Sequence, residues 1–248
     1  MNITGNTILL TGGTSGIGLA LAEKLIKENN TVIITGRRED RLAEIKSRYP
    51  EIITKVSDVT DAAQRVELSE WLTIEYPGTN VLINNAGVQL VTDLTKMVDL
   101  NRVQSEIETN FTGPLHLTSL LVPILNKNSN RTIINITSGL AYVPIAGLAV
   151  YCATKAAMHS LTISLRFQLR KTGFKVFEIA PPEVDTELGH DRREDKSQSH
   201  GGITVDEFVS LALEALKADT YEAPIGAAIG LRAEGENIFE QLNSRFAS

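Results

Sequence analysis

Short apolar runs alternate with longer amphipathic stretches along the chain. The runs occupy residues 7–11, 31–35, 52–57, 81–83, 132–137 and 174–179. Between several of them, apolar positions recur every three or four residues, as on one face of a helix, whereas each run has the length of a strand. Alternating strands and helices predict an α/β fold with a doubly wound parallel sheet of about seven strands and helices on both faces. Residues 223–230 are expected to supply the seventh strand.

The chain is expected to form a single domain over residues 1–248, since it carries neither an internal repeat nor a low-complexity linker. About residues 187–218 are expected to form a substrate lid and a helix, and a solvated loop is the alternative to the lid. About residues 219–248 are expected to form a C-terminal strand and helix, with the helix near 234–246.

Composition narrows the classes of partner. The 248 residues carry a formal net charge of −6 without a basic stripe, which argues against nucleic acid and against an anionic membrane surface. The single cysteine, Cys152, can form no internal disulfide, and the four histidines lack the spacing of metal ligands. The start of the chain does not resemble a signal peptide, and no apolar run approaches the ~18 residues of a membrane span. We therefore expect a cytoplasmic protein without a metal.

A glycine-rich turn follows the first apolar run. Gly12, Gly16 and Gly18 stand between that run and a helical pattern. Glycines in such a turn let the backbone approach a pyrophosphate, and the helix N-terminus offers free N–H groups and the positive end of its dipole. Taken alone, the turn fits equally well a tight strand-to-helix connection without a ligand.

Two arginines, Arg37 and Arg38, follow the second apolar run. Dinucleotide folds that bind NAD usually place an Asp or Glu there, and no acid stands at this strand end. A guanidinium matches the oxygens of a ribose 2′-phosphate, which a carboxylate would repel. We therefore predict NADPH/NADP+ in preference to NADH, with Arg37 as the main contact. The alternative is a solvated start of the helix at residues 39–48.

Polar side chains also follow the third and fourth runs. Asp58, which precedes Val59, could hydrogen-bond an adenine amino group or cap the helix that starts near Asp61. Asn84 and Asn85 end a buried strand, where their amides need partners. They are expected to tie the sheet together, to line a cofactor crevice, or to do both.

Tyr151 and Lys155 lie four residues apart in a helical pattern at about residues 150–171, so their side chains point the same way. An ammonium beside a phenol favours the phenolate and lowers the tyrosine pKa from its usual value of about 10. The pair is a candidate proton donor. Ser138 ends the fifth run, and the loop after it could return its hydroxyl to the phenol. Taken alone, these residues could also be purely structural: Tyr151 could simply pack on the aliphatic part of Lys155, and Ser138 could be an ordinary turn residue.

Taken in order, these motifs resemble those of the short-chain dehydrogenase/reductase family. The shared features are the turn from Thr11 to Gly18, Asp58, the sequence Asn84-Asn85-Ala86-Gly87, Asn110, Ser138 and the Tyr151/Lys155 pair. The resemblance extends from Asn6 to about Thr186 and implies a single-domain Rossmann fold. The C-terminal part looks more like a bacterial subgroup named for teichoic-acid D-alanylation.

The resemblance implies a catalytic set of Ser138, Tyr151, Lys155 and Asn110. It also implies that Asn110 perturbs its helix and holds a water linking Lys155 to solvent, whereas an amide bonded to nearby backbone is the structural alternative. Pro182 stands where the family usually has glycine. The implied cofactor contacts are Gly12, Thr14, Ser15, Gly16, Ile17, Gly18, Arg37, Arg38, Asp58, Val59, Asn85, Ala86, Gly87, Tyr151, Lys155, Pro181, Val184 and Thr186.

The predicted function is therefore NADP(H)-dependent interconversion of a small-molecule carbonyl and an alcohol, with Tyr151 as general acid/base. A catalytically silent dinucleotide-binding regulatory protein and a lyase or dehalogenase on the same scaffold are the alternatives. The first would be expected to have lost Tyr151, Lys155 or Ser138, and the second to have a degraded nucleotide pocket. The helix at 150–171 is apolar on a second side, which suggests a partner subunit, and the resemblance implies a homodimer or homotetramer.

Overall fold

The computed structural model describes residues 1–188 and 202–244. Its strands are β1 (Thr7–Thr11), β2 (Thr31–Gly36), β3 (Ile53–Val56), β4 (Val81–Asn84), β5 (Thr132–Ile136), β6 (Lys175–Ala180) and β7 (Glu222–Pro224). Its helices are α1 (Gly16–Lys27), α2 (Glu39–Arg48), α3 (Ala62–Glu75), α4 (Leu100–Ile107), α5 (Gly113–Leu125), α6 (Ala149–Gln168), α7 (Val205–Lys217), α8 (Ala228–Glu234) and α9 (Phe239–Ser244). A π-helical turn, Glu108–Thr112, joins α4 to α5, and 3-10 turns span Gly139–Ala141, Ala146–Leu148 and Gly235–Ile238.

The strands form one sheet in the order β3-β2-β1-β4-β5-β6-β7, and every pair is parallel. The chain first builds outward from β1 to β3 and then crosses back to place β4 on the other side of β1. Such a reversal leaves a crevice at the carboxyl ends of the two central strands, where open α/β sheets bind their ligands.

Helices cover both faces because successive strand residues point to opposite sides of the sheet. Leu10 and Ile34 lie in the apolar core that α1, α2 and α7 cover. Leu9 and Ile33, one position earlier on each strand, lie in the core covered by α3 and α5. Burial on both faces explains why the central strands read as nearly continuous apolar runs. The predicted single-domain, doubly wound parallel fold is confirmed.

The prediction of a seventh strand over residues 223–230 is wrong in its extent. β7 ends at Pro224, and the backbone then turns at Gly226, where φ is 56°, to begin α8. A positive φ is strained for any residue with a Cβ, so the turn depends on this glycine. An apolar segment rich in alanine and glycine is compatible with either element, and only the turn separates them.

The single C-terminal helix predicted near residues 234–246 is also wrong. Gly235, at a φ of 58°, ends α8, and a 3-10 turn then leads into α9. Residues 245 and 246 of that prediction lie outside the described residues. Of the predicted lid and helix, α7 is observed, with Thr204 as its N-cap, while residues 189–201 are not among the described ones.

Candidate active site

The carboxyl ends of four neighbouring strands place the predicted site residues along one edge of the sheet. Gly12 follows β1, Asn85 follows β4, Ser138 follows β5 shortly after Ile136, and Pro181 follows β6. β1 and β4 are the two strands between which the strand order reverses. The sheet thus brings the glycine turn and Ser138, which are far apart in sequence, to one crevice.

Close packing explains the glycines of the turn. At Gly12 φ is 69°, and a Cβ there would lie 2.7 Å from the Cα of Ala86. A Cβ on Gly18 would lie 2.2 Å from the carbonyl oxygen of Gly12. Ser15 is the N-cap residue of α1, yet its side chain makes no capping hydrogen bond. The first N–H groups of α1 therefore face the crevice without a side-chain cap, as a phosphate site requires.

The two adjacent asparagines have different partners. Asn84 donates to Asn135 Oδ1 at 2.8 Å and to Thr118 Oγ1 at 3.1 Å, which ties β4 to β5 and α5. Asn85 donates through Nδ2 to the carbonyl oxygens of Thr11 and Gly12, both at 3.0 Å. Asn84 thus supports the sheet, whereas Asn85 fixes the glycine turn from behind.

Arg38 lies closer to the glycine turn than Arg37. Its Nη2 donates to Thr14 Oγ1 at 3.3 Å and lies 3.9 Å from a carboxylate oxygen of Glu187. Arg37 is exposed, and within residues 1–188 and 202–244 no hydrogen bond or ion pair involves its guanidinium. Both arginines follow β2 at the rim of the crevice. Arg37 as the main contact to a 2′-phosphate stays a prediction.

Asp58 and Asp61 share the turn after β3. Asp58 Oδ1 accepts from the backbone N and the hydroxyl of Thr60, at 2.9 and 2.8 Å. Asp61 is the N-cap of α3, and its side chain accepts from two backbone N–H groups of the first turn. Asp58 was expected either to contact an adenine or to cap α3. The structure shows that Asp61, and not Asp58, caps this helix. The carbonyl oxygen of the adjacent Val59 accepts from the guanidinium of Arg65, which fixes this turn against α3.

Lys155 and Tyr151 are buried together on α6. Lys155 is 5% exposed, and its ammonium donates to the Ile136 carbonyl oxygen at 3.1 Å and lies 5.7 Å from the centre of the Tyr151 ring. Burial lowers the pKa of Lys155 to about 8, against the opposing effect of the Glu178 carboxylate. A Cβ on Gly87 would lie 3.6 Å from Lys155 Nζ, an ordinary contact distance, so this glycine lies directly beside the ammonium.

Asn110 lies in the π-helical turn, where the regular helix is interrupted as the resemblance implied. Its Oδ1 accepts from Val88 N at 2.9 Å, and its Nδ2 donates to Val88 O at 2.8 Å and to Thr154 Oγ1 at 3.1 Å. The Asn110 amide is therefore also hydrogen-bonded to nearby backbone, as the structural alternative to a catalytic role predicted. It joins the segment after Gly87 to the helix that carries Lys155, and its predicted water link stays a prediction.

Ser138 is the N-cap of the Gly139–Ala141 turn, which packs against α6 and brings the serine to the side of the sheet where Tyr151 lies. The Ser138 hydroxyl oxygen accepts from Leu140 N at 3.1 Å. Gly139 N donates to the Pro181 carbonyl oxygen at 2.8 Å, so the loops after β5 and β6 are joined.

The loop after β6 runs to the glycine turn. A Cβ on Gly16 would lie 3.2 Å from Thr186 Cβ, which places Thr186 against the start of α1. Val184 is buried and forms a parallel bridge with Ile203. Asp185 N donates to Ile203 O, so the two ends of the segment predicted to be a lid lie side by side. Pro182 stands beside Gly226, where a Cβ would lie 3.4 Å from the proline Cγ.

Sequence reasoning missed a buried acidic group packed against the helix that carries Tyr151 and Lys155. His159 Nδ1 and Glu178 Oε2 are 2.8 Å apart, and Glu178 is fully buried. Two signals were available: His159 follows Lys155 by four residues on α6, and Glu178 interrupts an apolar strand. Their partnership depends on the packing of α6 on β6, which the sequence pattern does not specify.

Comparison with known proteins gives the family. The chain matches the family model described as short chain dehydrogenase over residues 6–197. A Bacillus subtilis (strain 168) relative, "Uncharacterized oxidoreductase DltE", is 46% identical over 250 residues, covering 99% of this chain and 99% of that protein. This relative is consistent with the bacterial subgroup that the C-terminal part resembles. Within the described ranges, no helix has the length and apolar character needed to cross a membrane.

Two solved structures share the fold. A short chain dehydrogenase from Burkholderia cenocepacia J2315, in complex with NADP, has a TM-score of 0.83 at 26% identity and covers 100% of both chains. A short chain dehydrogenase/reductase from Burkholderia phymatum, in complex with NAD, has a TM-score of 0.84 at 23% identity, covering 98% of this chain and 97% of the other. With the family match over most of the chain, they lead to one conclusion: this chain belongs to the short-chain dehydrogenase family of oxidoreductases.

Proposed function

We propose that this oxidoreductase uses NADP(H) to interconvert a ketone or aldehyde and an alcohol by hydride transfer. The observation that carries the proposal is the buried Lys155 ammonium, 5.7 Å from the Tyr151 ring, at the sheet edge that also carries Ser138 and the glycine turn. A proton donor thus stands beside a crevice whose glycines and uncapped helix N-terminus suit a pyrophosphate.

The chain's own residues fit a dinucleotide along this crevice. The N–H groups at the start of α1 suit the pyrophosphate, and Thr186, next to Gly16, suits the nicotinamide end with Val184 and Pro181. Asn85, Ala86 and Gly87 line the crevice beside the glycine turn. The bound cofactor supplies the hydride, and the protein supplies orientation and electrostatics.

Tyr151 protonates the substrate oxygen as a carbonyl is reduced and accepts the proton when an alcohol is oxidised. Ser138 donates a hydrogen bond to that oxygen and stabilises its developing charge. Lys155 lowers the free-energy cost of the tyrosinate because its ammonium favours the phenolate. Asn110 orders the backbone at Val88 beside Lys155 and supports proton resupply through water.

The preference for NADP(H) rests on the end of β2. The residues that end and follow β2 include no carboxylate in the position that usually binds the ribose hydroxyls. Arg37 and Arg38 supply two guanidinium groups there, and Glu187 from the loop after β6 lies 3.9 Å from Arg38. One structural neighbour holds NADP and another holds NAD, so the fold alone leaves the cofactor open. The arginines therefore carry this part of the proposal. We also propose that the enzyme is cytoplasmic, as an NADPH-dependent reductase with one buried free cysteine would be.

The direct test is binding of NADPH and NADH to the purified protein by fluorescence titration, followed by cofactor oxidation against a panel of ketones and aldehydes. We expect tighter binding of NADPH and turnover of at least one carbonyl. Binding without turnover of any carbonyl or of any alcohol in the reverse assay would favour the regulatory alternative. Binding of neither nucleotide would contradict the proposal as a whole.

A further inference from the structure

A fully buried carboxylate, Glu178 on β6, lies behind the catalytic pair. It is 0% exposed and has two side-chain partners. Oε1 accepts from Thr137 Oγ1 at 2.7 Å, and Oε2 lies 2.8 Å from His159 Nδ1. A buried carboxylate without partners would be strongly destabilised, so these contacts maintain a charge at this depth.

Thr137 connects Glu178 to the candidate active site, because its hydroxyl donates to the Glu178 carboxylate. Thr137 lies between Ile136, whose carbonyl oxygen accepts from Lys155, and Ser138. The Thr137 backbone N also donates to Ile179 O, at 2.9 Å. The carboxylate thus fixes the segment that both presents Ser138 and holds the lysine.

Glu178 also acts on the charge of Lys155. Lys155 and His159 are one helical turn apart on the same face of α6, where Lys155 donates to Ile136 at the end of β5 and His159 contacts Glu178 on β6. Burial lowers the pKa of Lys155, and the Glu178 carboxylate raises it. The hydrogen bond that the His159 ring donates to Glu178 raises the pKa of His159 from its ordinary value of 6.5. One carboxylate therefore faces two groups that carry positive charge.

Two further charged residues near His159 and Glu178, Glu222 and Arg232, are paired with each other. Glu222 on β7 forms an ion pair with Arg232 on α8 and accepts from the Tyr142 hydroxyl at 3.3 Å. The Tyr142 ring stands edge-on to His159, with the ring centres 5.2 Å apart. His159, Glu178 and Glu222 lie within 4.8 Å of one another, as metal ligands could. Because Arg232 and Thr137 already hold oxygens of the two carboxylates, ion pairing accounts for the group.

We propose that Glu178 is a positioning residue for the reaction. Its carboxylate keeps Lys155 charged beside Tyr151 and, through its hydrogen bond with Thr137, holds the strand end that carries Ser138. His159, when protonated, offsets part of the negative charge of Glu178. The inference rests on the proposed function in that it assigns Lys155 its role there. It goes further by naming the group that makes a buried ammonium possible.

The sign of the pH dependence follows from these positions. Below the raised pKa of His159, the imidazolium offsets the Glu178 charge. As the pH rises and His159 loses its proton, the whole carboxylate charge acts on Lys155. Burial brings Lys155 close to losing its own proton at a pH of about 8, and the Glu178 carboxylate opposes that loss. The pair thus extends to higher pH the range in which Lys155 remains an ammonium.

The test is an NMR titration of the Lys155 side chain in protein labelled at the lysine ε-carbons, with the signal assigned by Lys155→Met. Glu178→Gln keeps the shape and an acceptor for Thr137 but removes the charge. We expect the pKa of Lys155 to fall by about one pH unit. An unchanged pKa in a folded Glu178→Gln protein would overturn the inference.

Two further variants separate electrostatics from structural damage. Glu222→Gln is the matched control, because it removes a neighbouring carboxylate that is already paired with Arg232, and we expect it to leave the lysine pKa unchanged. His159→Gln should leave that pKa unchanged or raise it, since a cation is removed. An equal fall in all three variants would contradict the inference. If Glu178→Gln does not fold, the double variant with His159→Gln removes both charges together and should also lower the lysine pKa.

The pH profile of kcat supplies a second readout. In Glu178→Gln the alkaline limb should move to lower pH, by the same amount as the lysine pKa, while Glu222→Gln keeps the wild-type profile. Failure of the proposed function would appear differently, as absence of turnover in the wild-type protein. The lysine titration would still decide the role of Glu178 in that case.

Discussion

Arg37 and Arg38, neighbours at the end of β2, have different surroundings. Arg38 is held over the glycine turn by Thr14 and lies near Glu187, whereas Arg37 is exposed at the rim. A side chain that is already held gains less from a new anion than one that is available to it. We therefore propose that Arg37 contributes the larger share of 2′-phosphate binding.

Arg37→Ala is expected to raise the Kd for NADPH about tenfold or more, because a charge-assisted hydrogen bond to phosphate is lost. Arg38→Ala should have a smaller effect, and neither change should alter the Kd for NADH by more than about twofold. Fluorescence titration of both nucleotides with each variant is the measurement. Equal weakening of NADPH and NADH by Arg37→Ala would show that the residue does not read the 2′-phosphate.

For individual residues, the sequence predicted which residues lie at the site better than it predicted their hydrogen-bond partners. Tyr151, Lys155 and Asn110 were identified from spacing and resemblance, and the structure places each near the same edge of the sheet. The different partners of Asn84 and Asn85 could not be predicted, because they depend on the face of the sheet toward which each side chain points. Glu178 and His159 were missed for a related reason, since only the contact between α6 and β6 brings them together.

The element on which the site most depends is the turn between β1 and α1. A Cβ on Gly18 would lie 2.2 Å from the Gly12 carbonyl oxygen, which Asn85 also holds. Backbone atoms cannot move aside as a flexible side chain can. Any larger residue at Gly18 must therefore open the turn that presents the N–H groups of α1.

Gly18→Ala is expected to weaken NADPH binding by at least about tenfold and to lower Tm, because backbone atoms must shift to admit the methyl group. Gly230→Ala is the matched control, since a Cβ in that helix meets nothing within 4 Å. The control should keep its affinity, and its Tm should stay level or rise because alanine favours helix by about 1 kcal/mol over glycine. Unchanged NADPH affinity in a folded Gly18→Ala protein would contradict the packing described.

Elements with strong periodicity were predicted correctly, and those set by a single backbone angle were not. The central strands follow from their apolar runs. The ends of β7 and α8 follow from positive φ angles at Gly226 and Gly235, which no pattern of apolar positions encodes. The predicted substrate lid stays a prediction.

The whole molecule presents an apolar stripe on the outside of α6. Ile163 and Phe167 are 45% and 65% exposed, and the small residues Ala153 and Ala156 are exposed along the same face. Large apolar groups in a row on one surface usually mark an interface. Small residues beside them allow a second helix to approach closely. We therefore propose that two copies of the chain pair through this face of α6, in a homodimer or a homotetramer.

Phe167→Glu is expected to dissociate that assembly, because it places a charge in the proposed contact. Sedimentation analysis at micromolar concentration should show an oligomer for the wild type and a smaller species for the variant. Ile74→Glu is the control, since Ile74 on α3 is 74% exposed and lies outside the stripe. A monomeric wild type, or an assembly unaffected by Phe167→Glu, would contradict this interface.

The central claim is that Tyr151 transfers the proton in an NADP(H)-dependent carbonyl reduction. Its most direct test compares kcat/KM of wild type and Tyr151→Phe for the best carbonyl substrate, with NADPH affinity measured on the same samples. Since the variant loses only a hydroxyl, we predict a fall in kcat/KM of about 100-fold or more with NADPH affinity within about twofold of wild type. Turnover by Tyr151→Phe near the wild-type rate would contradict the account.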